Sequence, residues 1–127
     1  MRVHHVGLVV KSIEESSRLY ECLGYSKDGD IVVDDVQHNR LLFLKKESQR
    51  LELIEALNEK STVYNTALQG YHHICFEVDD IEEQVKQISE KKLGKVFTGK
   101  IKAPAFSGRH IIFVYLKNRT IIEFLER

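Results

Sequence analysis

The chain has 127 residues, 43% of them hydrophobic and 30% charged, enough for one compact domain and too few for two independent cores. Nineteen Lys and Arg balance nineteen Asp and Glu, which excludes the broad basic surface of a general nucleic-acid or anionic-membrane binder and makes small molecules the expected partners. Two cysteines, Cys22 and Cys75, exclude a disulfide framework; with no apolar run near the roughly 18 residues of a membrane span and no signal-peptide core in MRVHHVGLVV, the expected location is the cytoplasm.

Residues 6–10 form a short apolar run rich in β-branched side chains, as buried strands do. Ser12, with Glu15 three residues on, has the spacing of a capping box and opens a helix whose apolar stripe is Ile13, Leu19, Tyr20 and Leu23, closed by Gly24. Strand-like segments follow at 30–36, 40–44 and 50–54. Residues 58–70 are polar and read as a connector, within which 62–68 offers a short helix. The order then begins again: a strand at 74–78, a helix capped by Asp80 and Glu83 with the stripe Ile81, Val85 and Ile88 and closed by Gly94, and strands at 96–101, 111–116 and 120–125.

This is an internal repeat. HHVGLVVKSIEESSRLYECLG is answered by HHICFEVDDIEEQVKQISEKKLG: His4-His5 recurs as His72-His73, Val10 as Val78, and Ile13-Glu14-Glu15 as Ile81-Glu82-Glu83, all at an offset of 68 residues. Leu23-Gly24 answers Leu93-Gly94 at 70, which implies two extra residues late in the second helix or its turn. The expected fold is α+β: two βαβββ modules, 1–57 and 71–127, joined by 58–70 and enclosing one open-barrel cleft, with the open strand edges covered in a homodimer.

Strand parity narrows the chemistry. Val6, Leu8 and Val10 share one face, and Ile74, Phe76 and Val78 the matching one, so His5 and His73 point the other way. Glu52 lies 47 residues beyond His5 and Glu123 lies 50 beyond His73, each inside an apolar strand where a carboxylate is costly unless paired or metal-bound. A lone histidine on a strand is ordinarily a core or surface residue. Two histidines and two buried acids at repeated positions favour a His2Glu2 site for one divalent ion, and Ni, Co, Zn, Fe or Mn all suit imidazole plus carboxylate.

At these residues the sequence resembles the vicinal oxygen chelate superfamily, which includes glyoxalase I, methylmalonyl-CoA epimerase, extradiol dioxygenases and fosfomycin or bleomycin resistance proteins. HHVGLVV, RLELIEAL, YHHICFEVDDIE and IIFVYLKNRTIIEFLE carry the likeness, which runs along almost the whole chain. It implies His5, Glu52, His73 and Glu123 as metal ligands, a glyoxalase-like fold, and proton abstraction next to a carbonyl of a thiol adduct or thioester. Glu123 is then the first choice of base, Glu52 its partner, and Asp34 and Asp35 are outside candidates. Val9 stands where bacterial glyoxalase I carries an Arg for glutathione, and YHHICFEVDDIE is closer to the epimerase. A non-catalytic antibiotic- or drug-binding resistance module is the alternative on the same fold; a dioxygenase or a thiol transferase is less favoured, since those relatives use two His and one Glu. Lys100, Lys102 and Arg109 flank the APAFSG loop and are weaker candidates for gripping an anionic substrate.

Overall fold

The computed structural model describes residues 1–64 and 70–127, in two compact units: His5–His72, and Met1–His4 with His73–Arg127. The chain runs β1 (Arg2–Val9), α1 (Ile13–Cys22), β2 (Ser26–Lys27), β3 (Val32–Asp34), β4 (Asn39–Lys46), β5 (Gln49–Ala56), β6 (Gly70–Val78), α2 (Ile81–Glu90), β7 (Gly94–Val96), β8 (Ile101–Lys102), a 3-10 turn (Pro104–Phe106), β9 (His110–Leu116) and β10 (Ile121–Glu126). The architecture is α+β, with open sheets and, among the described residues, one α-helix per unit. None of the described helices is long and apolar enough to cross a membrane. Part of the short helix expected at 62–68 lies outside the described residues.

In the unit His5–His72 the strand order is β2-β4-β5-β1, with β3 also paired to β4. β4 and β5 form a hairpin, and β1 runs parallel to β5 with Val6 opposite Leu51 and Val9 opposite Ile54. The other unit repeats this as β7-β9-β10-β6, with β8 paired to β9 and β6 parallel to β10. Helix α1 covers Ile13, Leu42, Leu44 and Leu53, with Leu8 and Val10 at the margin; α2 covers Val78, Ile81, Ile88, Ile112, Val114 and Phe124. Each fully buried aliphatic side chain contributes about 1.5–3 kcal/mol relative to exposure.

Both predicted N-caps form: Ser12 Oγ accepts from the Glu15 N–H at 3.2 Å and Asp80 Oδ1 from the Glu83 N–H at 3.3 Å. Four local expectations need correction. Leu19 and Leu23 are 62% and 63% exposed; the buried residues of α1 are Ile13 and Ser17, with Tyr20 half-buried beside them, the serine being small enough to sit against the sheet while its hydroxyl bonds the Glu14 carbonyl. The strand expected at 30–36 is cut to Val32–Asp34, because Asp34 Oδ1 accepts the N–H groups of Val36 and Gln37 and turns the chain. The strand expected at 96–101 is two short pieces, β7 and β8.

Gly24 does occupy the left-handed position after α1, with φ 98°, but Gly94 does not do so after α2. Lys92, 68 residues after Gly24, stands there at φ 53°, so the two extra residues fall beyond it in the turn. Gly94 is required for another reason: a Cβ would lie 2.3 Å from the Tyr115 carbonyl oxygen and 2.8 Å from Leu116 Cα.

Glu77, buried on β6, accepts from Arg2 Nε at 3.0 Å and from an Arg109 terminal nitrogen at 2.8 Å. Chiefly through the Arg109 hydrogen bond, its carboxyl is held down to about 2. A depressed carboxyl stabilises the fold fully above its unfolded value and loses that contribution as the pH falls through its folded one. Glu77→Gln is therefore expected to lower the urea-unfolding free energy by about 1–3 kcal/mol at neutral pH. The gap to the parent should start to close below about pH 4.5 and be gone near pH 2. In the same assay Gly94→Ala should cost about 1–3 kcal/mol through backbone overlap, whereas Gly99→Ala, which meets nothing within 4 Å, should stay within about 0.5 kcal/mol.

Candidate functional site

Alternation along β1 and β6 buries one histidine of each pair. His5 and His73 are each 1% exposed, whereas His4 and His72 are half-buried, His4 with its ring edge-on to Phe106. In the unit His5–His72, His5 Nε2 lies 3.5 Å from Glu52 Oε1. In the other unit, His73 Nε2 lies 3.3 Å from Glu123 Oε1. Both carboxylates are buried.

The two pairs are built alike. Glu52 sits opposite Gly7 of the parallel strand β1 and opposite Phe43 of the antiparallel strand β4; Glu123 sits opposite Cys75 of β6 and Phe113 of β9. Each imidazole meets a phenylalanine edge-on, His5 with Phe43 at 5.2 Å between ring centroids and His73 with Phe113 at 5.6 Å. These two aromatic walls were missed in the sequence. Their signal was present: Phe43 and Phe113 stand 70 residues apart within RLLFL and HIIFV, at the offset of Leu23-Gly24 and Leu93-Gly94.

A second glutamate fixes each last strand. Glu55 and Glu126 lie three residues beyond Glu52 and Glu123 and so project to the opposite face of the strand. Glu55 Oε1 accepts the Ile13 N–H of α1 at 3.0 Å, and Glu126 Oε2 accepts the Ile81 N–H of α2 at 3.0 Å. A carboxylate is well matched to the free N–H groups and positive end of a helix N-terminus. Arg40 completes the first clamp, donating to Glu55 and Glu14, each at 2.6 Å. With the strand locked to the helix in this phase, Glu52 and Glu123 are directed to the face away from the helices.

The donor set fits a metal. Bonds of about 2.0–2.2 Å subtending a near-tetrahedral angle would hold a nitrogen and an oxygen donor roughly 3.4 Å apart. The observed separations, 3.5 Å and 3.3 Å, bracket that distance. They exceed the roughly 2.7–3.2 Å usual for an N–H···O hydrogen bond. Imidazole nitrogen with carboxylate oxygen suits a borderline divalent cation.

The remaining sequence candidates lie elsewhere. Lys100 Nζ is 2.5 Å from Glu82 on the first turn of α2, Arg109 is engaged with Glu77 and the Glu126 carbonyl, and Lys102 is exposed on β8. Asp34 uses both oxygens in its turn, Oδ2 taking the Gln37 side-chain amide at 3.2 Å, and Asp35 is exposed. Cys75 is buried and Cys22 exposed, and neither is in a disulfide.

Comparison with known proteins follows the same line. The chain is 29% identical over 134 residues to the mitochondrial methylmalonyl-CoA epimerase of Dictyostelium discoideum, covering 99% of this chain and 78% of that one. It is 26% identical to the ethylmalonyl-CoA/methylmalonyl-CoA epimerase of Cereibacter sphaeroides, over 92% of this chain and 90% of that protein. Its fold matches a variant of Streptomyces coelicolor methylmalonyl-CoA epimerase in complex with 2-nitronate-propionyl-CoA, with a TM-score of 0.85 at 22% identity over 99% of this chain and 94% of the other. The sequence pattern of the Glyoxalase/Bleomycin resistance protein/Dioxygenase superfamily matches residues 4–113, and the chain belongs to that superfamily.

Proposed function

We propose that this chain is a metal-dependent epimerase-type enzyme, acting on a CoA thioester of the methylmalonyl-CoA kind by moving a proton at the carbon next to the thioester carbonyl. The observation that carries the reading is the buried histidine–glutamate pair present twice, with the same strand partners and the same phenylalanine wall. The names of the relatives supply the substrate class.

His5, Glu52, His73 and Glu123 would together hold one divalent ion. When bound, such an ion supplies Lewis-acid stabilisation, worth several kcal/mol, of negative charge developing on a carbonyl oxygen. Glu123 takes the proton from the carbon next to the carbonyl and Glu52 serves as its partner, general-base assistance contributing about 10²–10⁴-fold. Phe43 and Phe113 hold the two imidazoles in orientation and keep water from their faces. Among the described residues Lys102 makes no ion pair, which leaves it the best placed of the three loop cations to meet the anionic end of the substrate.

The test is solvent-deuterium incorporation into methylmalonyl-CoA by protein reconstituted with Ni or Co, with the methylglyoxal–glutathione adduct as the competing substrate. Exchange into the thioester is expected, with a loss of about 10²-fold or more in Glu123→Gln that still binds metal. Undiminished exchange in Glu123→Gln would remove Glu123 as the base. Metal-loaded protein inert toward both compounds would favour the ligand-binding module instead. Phe113→Leu, which keeps volume but loses the edge-on ring, should reduce exchange by about 3–30-fold with little change in unfolding free energy.

A further inference from the structure

The duplication allows the same place to be compared in the two units. Phe43 and Phe113 are equivalent, so Lys45 and Tyr115 are too. Ser26 pairs with Lys45 and Lys95 with Tyr115, so in strand register Tyr25, just ahead of β2, answers Gly94, the first residue of β7. In the unit His5–His72 this position is filled. The Tyr25 ring stands edge-on to Tyr20 at 5.8 Å, lies under Lys46, and donates its hydroxyl to Gln49 at 3.0 Å. In the other unit the position is Gly94, which backbone overlap forbids from carrying a side chain. What remains is a groove of about 810 Å3 between α2, β7 and the end of β9.

Its lining is segregated. Val85, Ile88, Val96 and Leu116 make an aliphatic floor, and Lys92, Lys95, Lys117 and Arg119 stand round it with no Asp or Glu among the lining residues. Over a chain of zero formal net charge, four cations without one acid is a local excess. The C-terminus of α2 accounts for Lys92, since a helix end favours a cation, but not for the other three. Among the described residues none of the four is in an ion pair.

We infer that this groove is a second ligand site, taking a free straight-chain alkyl carboxylate with its chain on the aliphatic floor and its carboxylate among the cations. Its size falls in the range of small-molecule pockets, roughly 300–1,000 Å3. A nucleotide fits it poorly, because Ser89 and Tyr115 offer the only side-chain hydroxyls among the lining residues and the floor is aliphatic. The groove is on the helix side of the sheet. Ile122 and Phe124 pack toward α2, while Glu123 between them faces the opposite way, so this site is separate from His73 and Glu123.

The test is titration of the full chain with sodium dodecanoate below its micelle threshold, by calorimetry and by amide chemical shifts. The site predicts one saturable dodecanoate per chain with shifts centred on Val85, Val96 and Leu116. The double variant Lys117→Glu with Arg119→Glu should bind about tenfold more weakly or worse, and uncharged dodecanol should show the same deficit against the parent. Val85→Trp, which fills the floor and leaves every cation, should abolish binding. No saturable binding, affinity unchanged in the charge-reversed variant, or shifts centred on His73 and Glu123 would overturn the inference. So would a parent dimer, by sedimentation, that Val85→Trp splits, because a second copy would then be the occupant.

Discussion

A carboxylate buried beside an imidazole on the inner face of a strand is the constraint on which the molecule depends. Taking an ionised carboxylate out of water costs several kcal/mol unless a partner or a metal compensates it. The chain accepts that cost twice, at Glu52 beside His5 and at Glu123 beside His73. The strand positions opposite them are Gly7 and Phe43 for Glu52, and Cys75 and Phe113 for Glu123.

The rest of each unit holds that pair in place. A strand that slips by one residue turns all its side chains to the other face, so the glutamate must be fixed in phase. Glu55 and Glu126 do this by gripping the first N–H of the helix in their own unit, and the apolar rows beneath α1 and α2 hold the same phase by burial. The phenylalanine opposite each glutamate then sets the imidazole edge-on. The helix N-terminus, the last strand and the donor pair thus form one mechanical unit, present in duplicate.

How much of this was legible in the sequence follows from the range of each interaction. Parity and spacing were enough to single out His5, Glu52, His73 and Glu123, because alternation along a strand is a local rule and the repeat supplied a second copy of each. The N-caps were legible for the same reason. Phe43 and Phe113 were not, since a phenylalanine in an apolar strand looks the same whether it fills a core or braces a ligand. The early end of β3 depends on Asp34 bonding forward to the backbone, which composition does not reveal. Gly94 was read as a helix terminator because the local pattern allowed it; its actual constraint comes from β9, some twenty residues further along the chain. Leu19 and Leu23 were misplaced because a leucine outweighs a serine in any apolar stripe, although Ser17 is the residue that faces the sheet.

The proposal that His5, Glu52, His73 and Glu123 hold one divalent ion is tested most directly by counting ions. Metal content of protein purified without chelator and loaded with Ni or Co should be one ion per chain in the parent. It should fall to near zero in both His5→Ala and His73→Ala, each with its fold intact by circular dichroism. Two ions per chain, or an ion retained undiminished when either histidine is removed, would contradict the account.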